Sequence, residues 1–238
     1  MKSADIIKRL KSMESPKDRE GMARFGINPE GTLGVSIYKL RPMAKEILKA
    51  SKTSSDCHTL ALELWASGIH EARMLAVFID DPRLVTEAQI ESWAKDFDSW
   101  DICDQACTSL FDQTPFAYKK AVEWAKRDEE FVKRGAFALM AGLAVHDKKA
   151  PDAKFEKLLP IIKKASTDER NYVRKAVNWA LRNIGKRNAY LNKKAILCAR
   201  EIQKIDSKAA RWIAVDALRE LQSDAVQQRL AKRAQKKA

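Results

Sequence analysis

Between sparse glycines and prolines, the apolar residues of this chain recur at intervals of three and four rather than two. Leu60, Leu64 and Ile69, then Met74, Leu75, Phe78 and Ile79, form one such stripe; it returns in Phe131, Phe137, Met140 and Ala141 and in Val173, Val177, Ala180, Leu181 and Ile184. That is the spacing of helices buried along one face, and no stretch alternates as a half-buried strand does. Punctuation falls where helices should begin or end: Pro42, Pro82, Pro115, Pro151 and Pro160 are read as lying near helix starts, with Ser99, Asp128, Asp168 and Asp206 as N-caps. Gly26, Gly31 and Gly34 mark a turn-rich link after the N-terminal helices. Their spacing fits neither a dinucleotide fingerprint nor a P-loop.

The pattern also repeats at long range. Phe131-Val-Lys-Arg-Gly-Ala-Phe, Tyr172-Val-Arg-Lys-Ala-Val-Asn and Ala209-Ala-Arg-Trp-Ile-Ala-Val begin 41 and 37 residues apart, with a looser echo in His70-Glu-Ala-Arg-Met-Leu-Ala. Units of about 40 residues with two helices each are the signature of HEAT or armadillo arrays. Because one unit cannot bury its apolar face alone, the units stack. The expected fold is therefore all-α, a curved α-α superhelix of HEAT-like repeats. It is read as a single domain over 1–238, with N-terminal helices over about 1–50, the array over about 51–222 and a basic tail over 223–238.

Charge adds a partner to this picture. The chain carries 45 Lys and Arg against 32 Asp and Glu, a net charge of +13, which points to a polyanion. Basic residues recur near the start of the second helix of each unit, at Arg73, Lys133, Arg134, Arg174, Lys175 and Arg211. Equivalent positions of a stacked array line one surface, so these should form a stripe suited to a phosphate backbone; the opposing reading is that each pairs with an acid of the neighbouring repeat. Four cysteines, Cys57, Cys103, Cys107 and Cys198, show no disulfide framework, and the scattered His58, His70 and His146 supply no zinc-ligand run. No metal site is expected. No apolar run reaches the roughly 20 residues of a membrane span and the N-terminus reads as a polar helix rather than a leader, so a cytoplasmic monomer is expected.

One constellation can carry chemistry. Trp100 and Asp104, four residues apart at a helix start, share a face. Trp179 sits in a second helix too polar and basic to be wholly buried. The other tryptophans, Trp65, Trp93, Trp124 and Trp212, are expected to be core residues. A carboxylate stabilises a developing cation electrostatically and can orient an attacking water, and an indole face attracts a cation by about 0.5 to 2 kcal/mol.

Gly21-Met-Ala-Arg-Phe25, Gly34-Val-Ser-Ile-Tyr-Lys-Leu-Arg41, Glu63-Leu-Trp65, Glu71-Ala-Arg73, Trp100-Asp-Ile-Cys-Asp104, Lys133-Arg134 and Lys175-Ala-Val-Asn-Trp179-Ala-Leu-Arg182 together resemble the DNA alkylation repair family, HEAT-like DNA glycosylases of the AlkD type. The resemblance runs from about residue 15 to 220 and implies no metal or organic cofactor. It implies double-stranded DNA carrying cationic N3- or N7-alkylpurines as substrate, with the base left in or near the stack. Carried over by position, it places the catalytic carboxylate on Asp104, sugar-facing indoles on Trp100 and Trp179, and a DNA-contacting arginine on Arg134. Arg182 falls within the same basic helix, and Phe25 stands where the family can carry a tyrosine. The competing expectation is a non-catalytic HEAT-like protein that binds distorted or branched DNA, or a protein-binding scaffold.

Overall fold

A computed structural model describes residues 2–51 and 53–235 of the chain. It is all-helical, with no strand among the described residues, as the three-and-four spacing predicts. The helices cluster into two compact units, Met1–Phe116 and Ala117–Ala238, where the sequence suggests one domain. No helix is long and apolar enough to cross a membrane among the described residues.

In the first unit the helices are α1 (Ser3–Lys11), α2 (Pro16–Arg24), α3 (Ile37–Ala50), α4 (Ser54–Ala66), α5 (His70–Ile79), α6 (Glu87–Lys95) and α7 (Trp100–Ser109). Helix α5 is central, packing on α3, α4 and α7, and it is buried on nearly every side. The link over 25–36 is irregular for a physical reason. Gly26, Gly31 and Gly34 adopt φ of 81°, 72° and 85°, a region that L side chains rarely enter. At Gly34 a Cβ would also lie 2.3 Å from the Ser15 carbonyl oxygen. Three consecutive backbone N–H groups of the link end on one carboxylate: Glu71, fully buried in the first turn of α5, accepts from Leu33 (2.9 Å), Gly34 (2.8 Å) and Val35 (3.0 Å). His70 N–H closes the clasp on the Gly31 carbonyl at 3.0 Å.

The second unit is the regular one: α8 (Ala117–Trp124), α9 (Glu130–His146), α10 (Asp152–Glu156), α11 (Leu159–Ala165), α12 (Asn171–Gly185), α13 (Ala189–Gln203), α14 (Lys208–Leu221) and α15 (Asp224–Gln235). Helices α9, α12 and α14 are the second helices of successive repeats and begin one residue before the repeated Phe131, Tyr172 and Ala209. Phe137, Leu139, Met140, Val173, Val177, Leu181, Ile184, Ile213 and Leu221 are fully buried between them. Each contributes on the order of 1.5–3 kcal/mol by leaving water. Gly185 is small because the next repeat needs the space; a Cβ there would meet the Leu221 side chain at 2.6 Å.

Several helix starts differ from the sequence expectation. The N-caps are Glu129, Arg170 and Ser207, not Asp128, Asp168 and Asp206. The acids lie one or two residues ahead of these caps, and Asp168 accepts from the Arg170 backbone at 3.2 Å. Glu169 reaches across to the next repeat and accepts from Ser207 Oγ (3.0 Å) and the Ala209 N–H (3.1 Å) at the start of α14. Ser99 is the residue before α7, but its hydroxyl donates to Asp98 instead of capping. Pro42 lies inside α3 rather than at its start. The carbonyl it leaves unfilled belongs to Tyr38, which is 86 % exposed, where water can replace the missing donor. Of the basic tail, residues 224–235 form α15, and 236–238 lie outside the described residues.

Candidate nucleic-acid interface

In the first unit the start of α7 is clamped from three sides. The Trp100 indole Nε1–H donates to the Phe25 carbonyl at 2.9 Å, and Asn28 donates to the Asp98 carboxylate just ahead of the helix, also at 2.9 Å. Asp101 Oδ2 meets His70 Nε2 of α5, 2.9 Å apart, while Asp101 Oδ1 accepts from the Ile102 N–H at 2.8 Å. Burial pushes the His70 ring toward neutrality, but the hydrogen bond and charge of Asp101, helped by Glu71 and Asp98, outweigh it and raise the pKa. Burial pushes Asp101 the other way from its net shift, which is downward because of His70 and the Ile102 N–H. The pair is thus a buried ion pair that fixes where α7 begins.

With its start fixed, α7 presents Trp100 and Asp104 one turn apart, both partly exposed. Phe25, whose carbonyl holds the Trp100 edge, is 77 % exposed. Thr108 donates to the Asp104 carbonyl at 2.7 Å, an ordinary back-bond that leaves the helix intact. Sequence reasoning brought Trp100 and Asp104 together, but Phe25 was found through its resemblance alone. Glu71, His70 and Asp101 were missed as the groups that position them; a carboxylate beside a histidine at the head of a buried helix was the available signal.

The basic residues divide sharply. Arg73 lies over the Trp65 ring at 5.4 Å and donates to the Asp96 carbonyl at 3.3 Å. Lys133 is 2.9 Å from Asp168; burial alone would raise that carboxyl, but Arg170 and Lys133 hold it down at about 2. Arg134 is buried and donates to the Tyr172 carbonyl of the next repeat at 2.7 Å. Arg182 meets Glu220 at 2.5 Å and Asp216 at 3.5 Å, and Lys186 shares Glu220 at 2.6 Å. For Arg73 and Lys133 the expected open stripe is therefore corrected: these cations, and Arg182 of the basic helix, face acids and carbonyls inside their own unit. Arg134 is likewise turned inward.

Other cations stay at the surface. Lys175 is exposed on α12, one turn before the partly buried Trp179, so the two share a face with Arg182. Arg211 is exposed, its nearest acid Asp206 lying 3.6 Å away and itself almost fully exposed. Arg174 sits over the Trp212 ring at 4.8 Å. A basic cleft that the sequence did not reveal lies at the far end of these repeats, lined by Lys148, Lys149, Lys186, Arg187, Arg229 and Arg233 with Asp152 as its acid.

All four cysteines are buried. Burial pushes the Cys198 thiol up to about 12 and raises Cys107 as well, so neither supplies a thiolate near neutrality. Among the described residues no three His, Cys, Asp or Glu side chains converge as metal ligands.

Fold and surface together define an all-helical protein of HEAT-like repeats with a cationic face. A sequence model of the DNA alkylation repair enzyme family matches residues 6–231, and the chain belongs to that family. Among solved structures, the chain is similar to a protein described as one of a new family related to the HEAT-like repeat DNA glycosylases with affinity for branched DNA structures. That likeness has a TM-score of 0.73 at 19 % identity, covering 92 % of this chain and 95 % of the other. A designed armadillo repeat protein in complex with the peptide (KR)4 aligns over 82 % of this chain and 78 % of its own, at 17 % identity and a TM-score of 0.33, too low to bear on function. No curated protein sequence matches.

Proposed function

We propose that the protein is a DNA glycosylase that releases cationic N3- and N7-alkylpurines, such as 3-methyladenine and 7-methylguanine, from duplex DNA. The observation that carries this reading is the clamped start of α7, where Trp100, held by the Phe25 carbonyl, and Asp104 stand one turn apart and partly exposed. Alkylation at N3 or N7 leaves the purine positively charged, so the electrons of the breaking C1′–N9 bond neutralise the departing base. The barrier lies in the cationic sugar left behind. Asp104 stabilises that charge, orients the water that adds to C1′ and takes its proton, as carboxylates do at oxocarbenium-like states. The face of Trp100 adds a cation-π attraction, strongest where water is excluded. In the second unit, exposed Lys175 and Arg211, with Lys148, Lys149 and Arg229 of the cleft, hold phosphates, fixing register without reading sequence.

Because the base is primed to leave, the reaction needs neither a deep base pocket nor extrusion of the base, unlike most glycosylases. Methylated duplex DNA incubated with the protein should yield free 7-methylguanine and 3-methyladenine together with abasic sites. Absence of both in the presence of tight DNA binding would favour a second reading, recognition of branched or distorted DNA without bond cleavage. Its supporting observation is the similarity to a protein described as having affinity for branched DNA.

A further inference from the structure

Trp212 was expected in the core with Trp65, Trp93 and Trp124. Those three are at most 4 % exposed, whereas Trp212 is 39 % exposed on α14, with Val215 at 58 % one turn further on. Trp212 and Val215 together form a small apolar patch on an otherwise charged helix, a surface that a flat ligand can cover. Arg174 of the preceding repeat lies over the ring at 4.8 Å. It is steadied by a hydrogen bond from its Nη2 to Asn171 at 3.2 Å. The guanidinium thus directs its charge at an aromatic face rather than a carboxylate.

The surroundings are cationic. Lys208 and Arg219, four residues before Trp212 and seven after it, lie on its face of α14, Arg211 precedes it in sequence and lines the same recess, and all three are exposed. Lys175 is exposed beside Arg174. The acid that shares the recess, Asp216, is engaged by Asn178 at 2.7 Å, by Arg182 at 3.5 Å and by Arg219. Asp206, which approaches Arg211, is solvated. The recess around Trp212 is shallow and open, lined by Arg211, Val215, Asp216 and Arg219. It suits a flat aromatic ring better than an extended side chain.

We infer that Trp212, backed by Arg174 and flanked by Arg211 and Arg219, is a stacking platform for an unpaired nucleobase, at a single-stranded overhang, flap or junction. A base inside a duplex has both faces covered by its neighbours, whereas an unpaired one offers a free face to an indole. Stacking on aromatic side chains beside backbone-neutralising cations is how single strands are held without sequence preference. This site rests on the reading of the protein as a DNA binder but is independent of Asp104 and of base release.

Fluorescence anisotropy should compare a labelled blunt duplex with the same duplex carrying a ten-thymidine 3′ overhang. The native protein should prefer the overhang, and Trp212→Ala should weaken overhang binding about tenfold, leaving blunt-duplex affinity unchanged. Trp212→Phe should keep most of the preference, and the indole quenching caused by the overhang should be lost in that variant. Native protein that binds both DNAs equally, or Trp212→Ala that keeps its overhang preference, would overturn the platform while leaving DNA binding intact, and would assign the face to another partner such as an acidic peptide. Failure to bind either DNA would remove the platform together with the proposed function.

Discussion

Polar groups serve different ends in the two units. In the second, they recur with the repeat: Arg134 to the Tyr172 carbonyl, Glu169 to the start of α14, Arg182 to Glu220, each partner 38 to 40 residues away. Such bonds set the register of one repeat on the next, and none is indispensable because the buried Val, Leu and Ile faces carry most of the interface. In the first unit the polar groups converge instead. One carboxylate, Glu71, holds three consecutive N–H groups of the link, and one ion pair, His70 with Asp101, holds the start of α7. The regular unit distributes its order, whereas the irregular one concentrates order on the segment that presents Phe25, Trp100 and Asp104.

The comparison breaks most clearly at Glu71. Glu71→Ala leaves three buried donors without an acceptor and should cost about 4 kcal/mol in denaturant unfolding. A loss below about 1 kcal/mol would mean that the link is held by something else. Arg182→Ala should cost only about 1 kcal/mol, because the pair is partly solvated and its interface is mainly apolar. It should also leave the salt dependence of DNA binding unchanged, whereas Lys175→Ala should shallow that slope by about one counterion. Equal slopes for both variants would erase the distinction between cations that lock repeats and cations that meet DNA.

The smallest effect concerns pH. The raised pKa of His70 means that its contribution is complete below the unfolded value near 6.5 and fades as pH rises through the folded value. Asp101, lowered in the fold, contributes above its unfolded value near 3.9 and loses that contribution as pH falls through the folded one. Stability of native protein relative to His70→Gln should therefore narrow on the alkaline side, seen as converging melting temperatures. A difference that grows with pH would contradict the ion pair.

The contrast also explains what could be read in advance. The repeats were legible because three near-copies of one apolar pattern stand about 40 residues apart, and the helix starts at Glu130, Asn171 and Lys208 follow it. The use of each cation was not legible. A Lys or Arg at a repeated position looks the same whether it faces DNA or an acid one repeat away, and the deciding acids, Asp168, Asp216 and Glu220, lie on other elements. Trp212 was misplaced for a related reason, since its helix is amphipathic and only the angular position within it separates core from surface. Trp100 and Asp104 were legible as a pair because four residues of helix fix their common face. The clamp around them was not, because it joins the glycine link, α5 and α7 from separate parts of the sequence.

The central claim is tested most directly by single-turnover release of 7-methylguanine from methylated duplex DNA by Asp104→Asn. The substitution keeps size and shape, so melting temperature and DNA affinity should match the native protein while the rate falls about a hundredfold or more. Release at the native rate, with folding and binding intact, would contradict the assignment of Asp104 to the chemistry.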